Sequence, residues 1–329
     1  MSASQPTRIL IIRFSSIGDI VLTSPIIRCV KEQLEGEVQI DFITKRSFAS
    51  IVEANPHIDE VITIEKSVSE VAERLRDGMY DYVIDLHNNI RSKQVKRLVK
   101  ALHFTLDKRN VAKWVYVQLK RPYLEIGHVV ARSFACVAPL GIKDDQRGLD
   151  FYFPTTTKME KAILPECFQT GYFAYAIGGQ MKGKILPSTQ IPRLCHRLRL
   201  PVVLLGGPED RSEGDKVKAA LGDQVFNACG AFSLHQSASL LEGAERVITH
   251  DTGLMHIAVA LKKPLVSLWL ATTPELGFAP WQPSAPSVMI EAKCSKRPTS
   301  KLGNRGYKDG CVFNIDLDEV VAAVNAPFD

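Results

Sequence analysis

The chain has 329 residues, 45% of them hydrophobic and 23% charged, with a net charge of +5. That balance describes an ordinary soluble globular protein, long enough that two domains are expected rather than one. No apolar run approaches the roughly 20 residues of a membrane span, and seven scattered cysteines, an odd number, suit a reducing cytosol better than a disulfide framework.

The polar N-terminus runs straight into a strand, so no signal peptide is visible and a cytoplasmic location is expected. Residues 8–14 predict that strand: Ile9, Leu10, Ile11 and Ile12 form a continuous apolar run, as in a parallel sheet covered on both faces. Residues 15–19 read as a turn and 20–34 as a helix. Strands follow at 38–43, 61–64 and 82–86, with helices at 47–54 and 68–76; the first of these stops at Asn55-Pro56. Near residues 154–170 the pattern loosens into a linker. The alternation then restarts: strands at 172–177, 201–205, 247–249 and 265–268, and helices at 191–197, 215–221, 237–243 and 317–325. Strand–helix alternation of this kind predicts doubly wound parallel sheets. We divide the chain at residue 160, into domains 1–160 and 161–329. Residues 293–310, rich in Lys, Arg, Ser and Gly, read as a mobile loop. Cys294 and Cys311 sit in an irregular polar region with no Cys-x-x-Cys or His-x-x-His to make a metal site, so they read as a chance pair of thiols. Trp269 and Trp281 read mainly as packing residues.

The charge is uneven. Residues 91–121 carry ten Lys or Arg against one acid, Asp107. Such a stretch suits an anionic partner, such as acidic lipid head groups or a phosphorylated saccharide; the plainer alternative is a solvated helix face. No nucleic-acid module accompanies it, so no nucleic acid is expected as a partner.

One stretch draws the most chemistry together: Val247-Ile248-Thr249-His250-Asp251-Thr252-Gly253-Leu254-Met255-His256. It reads as strand, tight turn and helix N-terminus. A helix start presents unpaired N–H groups and the positive end of its dipole, and phosphate is its usual guest. The plainer alternative is a capped helix with Asp251 or Thr252 as N-cap.

Asp251-Thr252-Gly253-Leu254-Met255-His256 resembles the Asp-Ser/Thr-Gly-x-x-His signature of glycosyltransferase family 9, the ADP-heptose:lipopolysaccharide heptosyltransferases. The run from Arg8 to Val21 looks like the opening strand of that family and its Ser-x-Gly-Asp turn. Asp81-Tyr82-Val83-Ile84-Asp85-Leu86-His87, then Gly178-Gly179 with Lys184 and Pro187, are further matches in the same order. The resemblance implies a GT-B-like architecture, with two Rossmann-like domains facing an interdomain cleft, the N-terminal one binding acceptor and the C-terminal one binding nucleotide sugar. Ligands of open parallel sheets sit beyond the carboxyl ends of the strands. All the matched turns lie at such ends and are expected to converge on that cleft.

The implied reaction is inverting transfer of a heptose, or a related sugar, from an ADP-sugar to a lipid-anchored lipopolysaccharide-core saccharide. It would proceed at the cytoplasmic face of the inner membrane, without metal or other cofactor. The acceptor hydroxyl must lose a proton and the leaving diphosphate gains negative charge, so the site needs a base and cationic or N–H donors. Through the resemblance Asp19 is the base, with helix capping as its plainer role. Lys184 neutralises the departing phosphate, with Lys182 as a neighbour that could substitute. His256 donates to the same phosphates, and Asp251, Thr252, Gly253, Leu254, Gly179 and Thr272 complete the donor contacts. Asp210, with Glu209 beside it, is placed to bind ribose hydroxyls. Ser16, Gly18, His87, Arg91 and Arg109 are acceptor-side candidates. Two positions depart from the pattern: Leu270-Ala271-Thr272 stands where many relatives have Gly-x-Thr, and Gly183 where many have Ser or Thr. A nucleotide-sugar epimerase of the same fold, and a binding protein without catalysis, are the alternative readings. A dinucleotide-dependent dehydrogenase fits less well, because the first turn lacks Gly-x-Gly-x-x-Gly.

Overall fold

A computed structural model describes residues 5–327. The chain forms two compact units. The first comprises residues up to Lys108 together with Gly127–Phe153; the second comprises Arg109–Ile126 together with the chain from Pro154 onward. The units are therefore not two contiguous halves: an 18-residue excursion from the N-terminal half, 109–126, packs with the second.

In the first unit five parallel strands form one sheet: β1 (Thr7–Ile12), β2 (Val38–Lys45), β3 (Glu60–Ile64), β4 (Tyr82–Asp85) and β5 (Leu102–Thr105), in the order β3-β2-β1-β4-β5. Ile9, Leu10, Ile11 and Ile12 of the central strand are completely buried, which is why they read as an unbroken apolar run. Leu10, Ile12, Phe14, Ile43, Ile64, Leu75 and Val83 form one of its cores. The return of 127–153 to this unit is secured by Arg28. That buried guanidinium bonds Asp145 through two nitrogens at 2.8 Å each and also pairs with Asp150.

The second unit has six parallel strands: β6 (Phe173–Ala176), β7 (Val202–Leu205), β8 (Val225–Asn227), β9 (Arg246–His250), β10 (Leu265–Trp269) and β11 (Ser287–Glu291), in the order β11-β10-β9-β6-β7-β8. Both sheets are doubly wound. The strand order reverses between β1 and β4 in the first and between β6 and β9 in the second. Loops leaving a pair of strands at such a switch point diverge to opposite faces and leave a crevice at the carboxyl ends.

Several elements differ from the sequence expectation. The expected helix at 20–34 is two helices, Ile17–Val21 and Ser24–Gln33, because Pro25 opens the second and removes a donor at the junction. The first begins earlier than expected, so Gly18 and Asp19 lie within its first turn. The basic stretch hides the edge strand β5 and the helices Ile90–Val99 and Asn110–Leu119. No helix among the described residues is long and apolar enough to cross a membrane.

Cys294 and Cys311, expected as a chance pair of thiols, are joined by a disulfide bond. The chain between them turns back on itself and brings their Cα atoms to 5.3 Å, a separation that spacing along the sequence does not reveal.

Candidate active site

The switch point of the first sheet holds the Ser15–Asp19 turn after β1 and the His87–Asn89 turn after β4. Ser16 is the N-cap of the Ile17–Val21 helix, and Asp19 is its third residue. The Asp19 carboxylate accepts from the Ser16 hydroxyl at 2.8 Å and, more weakly, from its backbone N–H at 3.4 Å. Capping is thus part of its role. Its other oxygen faces Arg13, whose guanidinium lies 2.6 Å away. Burial by itself would raise the Asp19 carboxyl; Arg13 and the Ser16 hydrogen bonds outweigh it and hold the group below its ordinary value. Arg13 is fixed from behind by the carbonyls of Ser15 and Leu86. It lies within the opening match, yet no role was drawn for it from sequence. A cation closing a strand of four buried aliphatic residues was the available signal.

His87 packs edge-on against Phe14, with ring centroids 5.4 Å apart. Burial, followed by the charges of Arg13 and Lys108, lowers its pKa to about 4, so the ring is neutral at pH 7. Its Nδ1 is buried without a hydrogen-bond partner. The turn that carries it is shaped by Asp85, which is fully buried and accepts from the N–H groups of His87 and Asn88 at 3.0 and 2.7 Å. The other Asp85 oxygen takes the Ser92 hydroxyl at 2.7 Å and Lys96 at 3.0 Å. Lys96 therefore serves this turn and is not part of an outward basic face. Ser16, Gly18, Asp19 and His87 gather at the switch point, and Arg91 is the second residue of the next helix just beyond it. Arg109, grouped with them from sequence, is exposed and belongs to the second unit.

The switch point of the second sheet holds the other candidates. Gly178 and Gly179 follow β6. A Cβ on Gly178 would collide with the Asp210 carboxylate, and one on Gly179 would lie 3.1 Å from the Thr252 methyl, so glycine lets these turns close together. Thr252 is the N-cap of the Gly253–Ala260 helix, but no side chain caps that helix, and the buried Thr252 hydroxyl has no hydrogen-bond partner. The Asp251 carboxylate turns away from the helix to Lys184 at 2.6 Å and the Thr272 hydroxyl at 2.8 Å. Thr252 thus holds the N-cap position, as the plainer reading has it, but neither its hydroxyl nor the Asp251 carboxylate bonds the helix N–H groups. The first-turn N–H groups at Gly253 and Leu254 have no carbonyl one turn before them in the helix. Beside them stands an ammonium. The free N–H groups and the positive end of the helix dipole can receive an anion. His256 is buried one turn further in.

Asp210 takes the Gly207 N–H at 2.8 Å and so caps its own turn. Burial first, and then the neighbouring charge of Glu209, raise its pKa against that hydrogen bond. Glu209 itself is exposed. Trp269 is fully buried and donates to Ser267, which agrees with a packing role. His250, one residue before the cluster, was not singled out from sequence. It is fully buried, and its Nε2 accepts the Leu186 N–H at 2.9 Å. That bond fixes the end of the segment carrying Lys184 against the end of β9. Burial lowers its pKa to about 3.

The sequence profile of glycosyltransferase family 9 (heptosyltransferase) matches residues 68–305. The chain belongs to glycosyltransferase family 9. Lipopolysaccharide heptosyltransferase 1 of Campylobacter coli is 23% identical over 293 residues, covering 80% of this chain and 84% of the relative. Among solved structures, a family 9 glycosyltransferase of Veillonella parvula superposes with a TM-score of 0.71 at 21% identity, over 87% of this chain and 86% of the other. The E. coli heptosyltransferase WaaC with ADP superposes with a TM-score of 0.65 at 21% identity, over 92% and 99%. The GT-B-like fold class and the glycosyltransferase activity expected from the motifs stand.

Of the two departures from this family, Gly183 has a structural account. Gly183 lies under the disulfide-closed segment: a Cβ there would collide with the Gly303 carbonyl oxygen and lie 2.9 Å from the Gly306 nitrogen. Ser or Thr at this position is incompatible with the segment as it packs here. Gly306 in turn lies against Ala271, where a Cβ would come within 2.6 Å of the alanine methyl. The 293–310 segment, expected as a mobile loop, is thus tied down by Cys294–Cys311 and by backbone packing onto the Lys184 turn. In this glycosyltransferase, Gly183→Ser should cost about 1–3 kcal/mol of stability through overpacking and raise KM for the donor, measured by thermal melting and donor titration. Unchanged melting and KM would show that the segment yields freely.

The two neutral histidines carry a second expectation. Their folded pKa values, about 4 for His87 and about 3 for His250, lie below the ordinary imidazole value of 6.5. The unfolded chain therefore binds more protons than the folded one below pH 6.5. Stability should fall as pH drops from 6.5 toward 4, by up to about 1.4 kcal/mol per pH unit for each ring. Denaturant melts of His87→Phe across that window should show a shallower slope than the parent; an equal slope would mean that His87 titrates normally.

Proposed function

We propose that this glycosyltransferase moves a heptose, or a closely related sugar, from an ADP-sugar to a lipopolysaccharide-core acceptor, with inversion and without a metal ion. The observation that carries the reading is the Lys184–Asp251–Thr272 cluster at an uncapped helix N-terminus. It offers an ammonium and backbone N–H donors where a departing diphosphate would gather charge, as an electrostatic clamp requires. The heptosyltransferase relatives, and the ADP in the WaaC structure, support the choice of sugar and nucleotide. Thr252, Gly253 and Leu254 would hold the diphosphate, with His256 behind them. Gly179 would admit it closely, and Asp210 or Glu209 would take the ribose hydroxyls.

Inversion requires one displacement, with the acceptor oxygen attacking as the ADP leaves. Asp19 would take the acceptor proton. The low basicity that Arg13 imposes on it does not prevent this: as the oxygen bonds to the anomeric carbon its proton becomes strongly acidic, and an ionised, oriented carboxylate suffices. Ser16, Gly18, His87 and Arg91 would line the acceptor side, and Arg109 would supply a further positive charge. The acceptor in this reading is lipid-anchored, and the enzyme works peripherally at the cytoplasmic face of the inner membrane.

The test is ADP release on mixing protein, ADP-heptose and a heptose-deficient lipopolysaccharide core in EDTA. Acceptor-dependent release is expected. Release only after divalent metal is added would sink the metal-free mechanism, and donor turnover without acceptor would favour the epimerase reading.

A further inference from the structure

The 109–126 excursion carries a helix whose outward face is apolar. On its inner face Ala112 and Tyr116 pack with Ile126, Leu276 and Phe278, and the Tyr116 hydroxyl lies 2.9 Å from that of Thr273. Lys113 points inward too, 4.7 Å over the Phe278 ring. The helix is therefore firmly seated. Val111 and Trp114 lie on the opposite side, 71% and 64% exposed, and Leu119 ends the helix at the border of the two faces, 57% exposed. Tyr123 and Leu124 continue the surface in the turn that follows and are also exposed. A surface helix ordinarily turns charged side chains to water; here Gln118 is the one fully polar residue in that arc.

Scattered exposed apolar residues need no explanation, but a contiguous set containing Trp and Tyr does. Positive charge predominates around it, with Glu125 the exposed acid next to Leu124. Arg109 precedes the helix, and Lys120 and Arg121 follow it. Lys120 donates to the carbonyl of Pro298 at 2.8 Å, which brings in the disulfide-closed segment. That segment exposes Leu302 and Tyr307 between Lys301 and Lys308, with Arg305 paired to Asp309 at 3.6 Å.

We propose that this surface is a docking face for an anionic phospholipid bilayer. Apolar side chains with Trp and Tyr, rimmed by Lys and Arg, match the interfacial zone of a membrane: the rings and aliphatic groups enter the acyl boundary while the cations meet phosphates. Ten residues of helix, about 15 Å, can lie in that zone but cannot span it. A second copy of the chain is a poorer occupant, because an isologous contact would set the basic rim against itself. The proposal rests on the reading above in one respect: a lipid-anchored acceptor requires the enzyme at the bilayer, and this face names the residues that hold it there.

The test is sedimentation of the full chain with vesicles of phosphatidylcholine mixed with phosphatidylglycerol, and with phosphatidylcholine alone. Binding is expected only to the anionic vesicles and should weaken with salt. Trp114→Ser with Leu119→Ser should weaken it at least about tenfold, and Arg121→Ser about fivefold. These positions are exposed, so the variants should melt like the parent. Equal binding to both vesicle types, or binding unaffected by the variants, would overturn the proposal. So would a concentration-dependent dimer that the double variant abolishes. Transfer to a water-soluble, delipidated core acceptor separates the two readings: activity without vesicle binding sinks the docking face alone, and vesicle binding without activity sinks the transfer reaction alone.

Discussion

Asp19→Asn should lower kcat by about 10²- to 10⁴-fold, the loss expected when a positioned general base is removed. The substitution keeps the shape of the side chain, and Arg13 retains the carbonyls of Ser15 and Leu86 as acceptors, so the fold should survive. The decisive readout is the pH profile. Arg13 and Ser16 hold the Asp19 carboxyl below its ordinary value, so the folded group stays ionised to a lower pH than a free aspartate. Activity that depends on it should be level through neutrality and fall only at a pH lower than an ordinary aspartate would set. Arg13→Gln removes the nearest positive charge, so the acid limb should then move upward. ADP release followed across pH, in parent and both variants, measures this. Full activity in a well-folded Asp19→Asn protein would mean that the carboxylate only caps its helix.

Lys184→Met should lower kcat/KM for the donor by about 10²- to 10³-fold, because a preorganised cation at the leaving group is lost. It should also destabilise the protein. Asp251 and Lys184 have side chains 8% and 19% exposed, and removing one partner of such a pair strands the other charge, at about 3–5 kcal/mol. The two effects separate in the Lys184→Met/Asp251→Asn double variant. Neutralising the stranded carboxylate should return most of the stability, read by denaturant melts, and none of the rate. A double variant recovering both would reduce the ion pair to a structural link between the turn after β6 and the turn after β9.

Much of this was open to reading from the residues. Strands buried on both faces of a parallel sheet must be apolar throughout, so Ile9–Ile12, Val202–Leu205 and their like announced themselves and implied two doubly wound sheets. Turns at the carboxyl ends of such strands hold the short polar and glycine residues that ligand binding needs. Asp19, Gly179, Lys184 and the Asp251–His256 stretch were therefore visible, in an order that a known family shares. The short edge strands β5, β8 and β11 were not, because an edge is half solvated and its residues need not be apolar.

What only the tertiary structure decided depends on segments distant in the chain. Lys184 meets Asp251 across 67 positions, and that contact turns Asp251 from a helix cap into a partner of the cation. Arg13 acquires its role by reaching Asp19 while Leu86, just after β4, supplies the carbonyl behind it. Gly183 is glycine because the segment closed by Cys294–Cys311 lies on it. The excursion 109–126 shows an apolar face to solvent because its inner face is already taken by Leu276 and Phe278. Periodicity and composition record which residues a local element must bury; they do not record which remote backbone closes over it, and that approach decided the charges and contacts of this site.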